Sequence, residues 1–171
     1  MRRLLRQSLM AAIAGIGLAL GLTFPANSLT ADEAGKVAAL LAELSAELGD
    51  FAYDEEEADR IFDEDEASNG QIKAAGFDRE EWKEAVDAVF RGYLATIPND
   101  AFSARLTEGL QGFESMSHLS AEQKAEVRPL IEEKIAEIQL LRAEGAAYAK
   151  AVAPYAAKVE AAFDTGLGVG D

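Results

Sequence analysis

Four acids in a row, Asp63-Glu64-Asp65-Glu66, are followed by Asn69-Gly70-Gln71-Ile72, an oxygen-rich stretch with the flavour of a calcium loop. A helix–loop–helix calcium site takes ligands from alternate loop positions, turns at a glycine in sixth place and closes with a bidentate glutamate in twelfth. With Gly70 in sixth place, Asp65 stands first, but Ala67 stands third and Gly76 twelfth. Starting from Asp63 instead puts Ala67 fifth and Ala74 twelfth. Neither frame completes a coordination shell, so the segment reads as a solvated, acidic helix end running into an Asn-Gly turn. A weak divalent-cation site on Asp63, Asp65 and Asn69, within the acidic segment 54–66, is the alternative reading.

Other reactive groups are sparse. His118 is the sole histidine and the chain has no cysteine, which excludes thiolate metal sites, thiol nucleophiles and disulfides. Ser115 and Ser117 flank His118, but there is no Gly-x-Ser-x-Gly elbow to expose a nucleophile. Carboxylate pairs occur all along the chain, and none sits in an apolar, aromatic setting that would split their acidities. Gly166-x-Gly168-x-Gly170 precedes no helix whose N-terminus could hold a phosphate. No catalytic residue, metal ligand set or cofactor is assigned, and the chain is read as a non-enzyme.

The elements that would carry these residues are nearly all helical. Alanine, leucine, glutamate and lysine dominate, and no stretch sustains the alternation of a strand. Helix starts are marked by capping boxes, in which a short polar side chain and an acid or amide three residues on satisfy each other's free amides. Thr30/Glu33, Asp54/Glu57, Asp78/Glu81 and Ser120/Gln123 fit that pattern. Behind Thr30, Val37, Leu40, Leu41, Leu44 and Leu48 share a face up to Gly49. Behind Asp78, Trp82, Ala85, Val86, Val89, Phe90, Tyr93 and Leu94 form a wide aromatic stripe, with Phe77 and Trp82 placed as a hydrophobic staple. This helix is expected at the centre of the core. A short helix follows from about Asp100. A long tract from Ser120 turns Val127, Ile131, Ile135, Ile138 and Leu141 inward, and Pro129 inside it predicts a kink or a restart. A final helix carries Tyr148, Val152, Tyr155, Val159 and Phe163. The expected fold is all-α, an irregular bundle of five to six helices.

The N-terminus supplies location. Arg2, Arg3 and Arg6 precede an apolar run from Leu9 to Phe24, and Ala26-Asn27-Ser28 offers small residues for a signal peptidase. A spanning helix needs about 20 apolar residues. This run is shorter, contains Gly15, Gly17 and Gly21, and ends at Pro25. Residues 1–28 therefore read as a signal peptide, 29–163 as a single helical domain and 164–171 as a flexible glycine-rich tail. The destination is periplasmic or secreted. Loss of the three arginines takes the formal charge from −15 to −18. Such a charge repels phosphate backbones and anionic lipid, so neither nucleic acid nor, after cleavage, membrane is expected as a partner.

Leu119-Ser120-Ala121-Glu122-Gln123, followed by a charged helix, resembles the Leu-Thr-x-x-Gln motif of small periplasmic stress chaperones of the Spy and CpxP kind. The family carries the motif twice and has a basic chaperone surface, whereas this chain has the motif once and is acidic. The chain is not assigned to that family. The resemblance implies only a class of activity, the binding of protein clients. The sequence is accordingly read as an exported, acidic, non-catalytic protein-binding or chaperone-like envelope protein with an unidentified protein partner. Intact-mass measurement of exported material is expected to give a chain beginning at or near Leu29. Full-length protein recovered in the membrane fraction would replace the leader reading with an anchor.

Overall fold

The computed structural model describes residues 29–49, 51–52 and 56–164. The expected leader, the Asp54 half of the second capping box and residues 165–171 of the expected tail lie outside the described residues. In chain order the helices are α1 (Ala31–Leu48), α2 (Glu57–Ala67), α3 (Gln71–Ala74), α4 (Arg79–Thr96), α5 (Asn99–Ser115), α6 (Ala121–Glu144), α7 (Ala149–Val152) and α8 (Ala156–Ala162). Tight 3₁₀ turns at Gly145–Ala147 and Ala153–Tyr155 separate the last three. Two-residue strands β1 (Phe51–Ala52) and β2 (Phe163–Asp164) pair in parallel, Phe51 opposite Phe163. The fold is all-α, a helical bundle with this one small bridge. Among the described residues no helix is long and apolar enough to cross a membrane.

Three capping boxes form as expected, because each is a local exchange of hydrogen bonds. The Glu33 amide donates to Thr30 Oγ1 at 3.2 Å, the Glu81 amide to Asp78 Oδ1 at 2.9 Å and the Gln123 amide to Ser120 Oγ at 3.2 Å. The Asp54 side of the fourth lies outside the described residues. α2 begins at Glu57 behind Glu56, which has helical backbone angles and makes no side-chain cap. Gly49, with φ of 92°, ends α1 as expected.

α4 is the central element. It packs against α1, α2, α6, α7 and α8. Trp82, Val89, Tyr93 and Leu94 are almost fully removed from water, and each such side chain contributes about 1.5–3 kcal/mol through burial. The Phe77–Trp82 staple is made, ring edge to ring face at 6.0 Å between centroids. The indole N–H, which would be costly to bury alone, donates to the Ala58 carbonyl at 3.1 Å and ties α2 to α4. At the other end Phe163 meets Phe90 at 5.1 Å and Phe51 at 6.2 Å, so the β1–β2 bridge is clamped onto α4 by aromatic edges.

The C-terminal half departs from the sequence expectation in four ways. α5 is not short, for it continues through Gly109 and Gly112 to Ser115. α6 is one unbroken helical span across Pro129. The proline leaves the Ala125 carbonyl without its helical donor, but Ala125 and Pro129 are both exposed, so water supplies the bond. The expected final helix follows the first 3₁₀ turn and is divided by the second, which contains Pro154. Asp164, assigned from sequence to the tail, instead belongs to β2.

This divided tract lies on α1 and α4 at distances only glycine permits. A Cβ on Gly145 would stand 1.9 Å from the Arg91 carbonyl oxygen, and one on Gly92 would stand 2.7 Å from Val152 Cγ2. Arg142 completes the contact. Its guanidinium donates to the Leu94 and Ile97 carbonyls at 3.1 and 2.7 Å, capping the C-terminus of α4 from a distant helix. Gly145→Ala is therefore expected to destabilise the protein by about 1–3 kcal/mol or more in urea denaturation, because backbone must move. An unchanged midpoint would show that the two backbones are further apart than described.

Candidate functional site

The three residues of the alternative cation site do not converge. Asp65 is 1% exposed, where the sequence reading placed a solvated acid. Its two carboxylate oxygens accept the Gln71 and Ile72 amides, each at 2.9 Å, so it caps the short α3. Its own carbonyl accepts from Ser68 and Gly70, closing the Asn-Gly turn, with Gly70 in the left-handed region at φ of 64°. Asp63 pairs with Arg79. Asn69 Nδ2 donates to Glu47 Oε2 at 3.2 Å. Among the described residues no group of three or more His, Asp or Glu side chains is placed to hold a metal ion.

Much of the acidic run is neutralised locally. Arg60 holds Glu57 and Glu64, Lys73 holds Glu66, and Asp59 accepts from Lys83 at 2.9 Å and Arg79 at 3.1 Å. Hydrogen bonds from Lys83 and then Arg79 hold the Asp59 carboxyl below its ordinary 3.8, and the Asp59 bond raises the Lys83 ammonium in turn. The Arg79 guanidinium also lies over the Phe62 ring, 4.7 Å from its centroid. These pairs fasten α2 to α4.

His118 is exposed in the turn between α5 and α6. The Ser115 hydroxyl donates back to the Gly112 carbonyl at 2.8 Å. The Ser120 and Gln123 side chains, which carry the resemblance noted above, are both engaged in capping α6. Tyr93 is the buried phenol of the core. Burial raises its pKa, while the Arg105 guanidinium, 3.0 Å from the hydroxyl and also bound to Glu160, opposes the rise.

Two concave surfaces border α4. The larger is a groove of about 640 Å³ between the N-terminal turn of α1, the turn at residues 75–77 and the outer face of α4. Its carbon lining comes from Leu29, Phe77, Ala85, Ala88 and the half-buried Tyr148. Its charged lining is Asp32, Glu33, Glu81, Glu84 and Asp87, with Lys36 the one cation. Glu33 and Glu81 serve the two capping boxes, and Asp87 pairs with Arg91. Asp32 and Glu84 make no hydrogen bond or ion pair with the described residues. The smaller groove, about 440 Å³, shares Glu84 and Asp87 with the larger and adds Glu57, Glu80 and Glu137, mixed with Lys83, Arg91 and Lys134. Those cations are engaged, Lys83 with Asp59, Arg91 with Glu144 and Lys134 with Glu137. The larger groove had no signature in the sequence. Its acids were visible as helix-start residues, but residues 29–36, 75–88 and 148 meet only through folding.

Comparison with protein-family models, with curated proteins and with solved structures gives no match. Fold and surface together define a class: an all-α bundle with an acidic, carbon-floored groove beside its central helix.

Asp65→Ala leaves the Gln71 and Ile72 amides without acceptors and is expected to cost about 1–3 kcal/mol. Asp63→Asn removes only an exposed pair and should cost less than about 1 kcal/mol. Calorimetric titration should show no calcium affinity tighter than about 10⁻⁴ M. Micromolar calcium binding, abolished by Asp63→Asn with Asp65→Asn, would restore the cation-site reading.

Proposed function

We propose that this chain is an exported, non-catalytic protein of the bacterial envelope that works by binding another protein, in the manner of a chaperone or adaptor. The observation that carries this reading is the larger groove, where Asp32 and Glu84, which make no ion pair with the described residues, border a floor of Leu29, Phe77, Ala88 and Tyr148. Unpaired charge around an apolar floor is the chemistry of a recognition surface rather than of a closed core. The leader-like N-terminus favours the periplasm, and the formal charge of −15 favours solubility and a partner of opposite sign. The competing reading, weak divalent-cation binding by segment 54–66, is less well supported, because Asp63, Asp65 and Asn69 each face a different protein partner.

Light scattering of an unfolding client tests the proposal. Without ATP, the protein is expected to suppress aggregation of a basic client at near-stoichiometric amounts and to act less on an acidic one. Failure with both clients, together with a rise in melting temperature in millimolar calcium that magnesium does not reproduce, would favour the ion-binding reading.

A further inference from the structure

We infer that the larger groove docks a basic peptide segment, one in which Lys or Arg side chains flank a single large apolar residue. The inference rests on the protein-binding reading above and adds the place and the partner's chemistry. The groove's volume of about 640 Å³ lies inside the range of about 300–1,000 Å³ typical of ligand clefts. Five carboxylates against Lys36 give it a formal charge of −4, or −3 once cleavage before Leu29 adds an α-ammonium. The acids are spaced along two helices, Asp32 and Glu33 on α1 and Glu81, Glu84 and Asp87 on α4. They do not converge on one point, which suits several cationic groups strung along a chain better than one metal ion.

The floor decides between a peptide and a simple polycation. Leu29, Phe77 and Ala88 keep a residue of exposed surface, 8–9% each, and Tyr148 is half-buried beside them. An apolar side chain seated there removes that carbon from water, a gain a polyamine cannot match. The smaller groove is less acidic, since Lys83, Arg91 and Lys134 stand among its five carboxylates, of which Glu84 and Asp87 are shared with the larger groove, and Tyr148 does not line it. Asp32 and Glu84, the latter on the ridge shared with the smaller groove, carry the most weight, because neither makes a hydrogen bond or ion pair with the described residues.

A fluorescein-labelled peptide, Lys-Lys-Leu-Lys-Lys, titrated with the purified protein and read by anisotropy, tests the inference. The double variant Asp32→Asn, Glu84→Lys is expected to weaken binding by about tenfold. A control, Glu132→Gln with Glu133→Lys on α6, changes net charge equally at exposed residues away from the groove and should change affinity by less than about twofold. Replacing the peptide's leucine with serine should weaken binding severalfold, and spermine should compete poorly. Circular dichroism verifies that both variants fold, which the exposure of all four side chains favours. Equal loss in both variants would reduce the effect to diffuse charge and overturn the site. Undiminished binding in the groove variant would overturn it too, as would spermine binding as tightly as the peptide. A groove variant that still suppresses client aggregation while losing no peptide affinity would leave the protein-binding reading standing and remove only this placement of it.

Discussion

The close approach of the C-terminal tract to α4 is the constraint on which the rest of the structure depends. Gly145 lies against the Arg91 carbonyl and Gly92 lies under Val152, so two backbones meet where no side chain fits between them. That contact determines where α7 and α8 run across α1, where Phe163 reaches Phe90, and where Arg142 finds the end of α4. It also places Tyr148 beside the groove. Packing this tight is intolerant of added volume because protein interiors transmit strain rather than absorb it. The division of the final tract into short helices follows from the same demand. A single straight helix from residue 145 onward could not follow the surface of α1 and α4 together, and Pro154 ends one piece by withholding its amide.

Charge is organised on the same scaffold. The chain carries 31 acids against 16 lysines and arginines, so the cations are the limiting partners. Arg60, Lys73, Arg79 and Lys83 serve the α2–α4 junction, and Arg105 and Arg142 serve α5 and α6. Arg142 spends its charge on carbonyls and on the Phe102 ring rather than on a carboxylate. The remaining acids include Asp32 and Glu33 in the first turn of α1 and Glu80 and Glu81 in that of α4, where helix dipoles make them inexpensive to keep. A fold that assembles two such helix starts around exposed carbon has an acidic groove as a by-product of ordinary capping chemistry.

Sequence by itself determined the local events. Three of four helix starts were legible because a capping box is closed within three residues and needs no help from the fold. The stripe from Trp82 to Leu94 was legible because 3.6-residue periodicity marks the buried face of any helix, and all of those residues are buried. Gly49 and the Asn69-Gly70 turn were legible because a positive φ selects glycine. Tertiary structure decided everything that depended on distant neighbours. Asp65 looks like its three acidic neighbours in sequence, and only the amides of Gln71 and Ile72 brought over it make it a buried cap. The start of α2, the length of α5 and the continuity of α6 through Pro129 rest on packing and solvent access, which a residue's immediate neighbours do not encode. The groove belongs to the same category. Its acids are readable one at a time, but their grouping over Leu29, Phe77 and Tyr148 exists only once Gly92 and Gly145 have let the C-terminal tract settle onto α4.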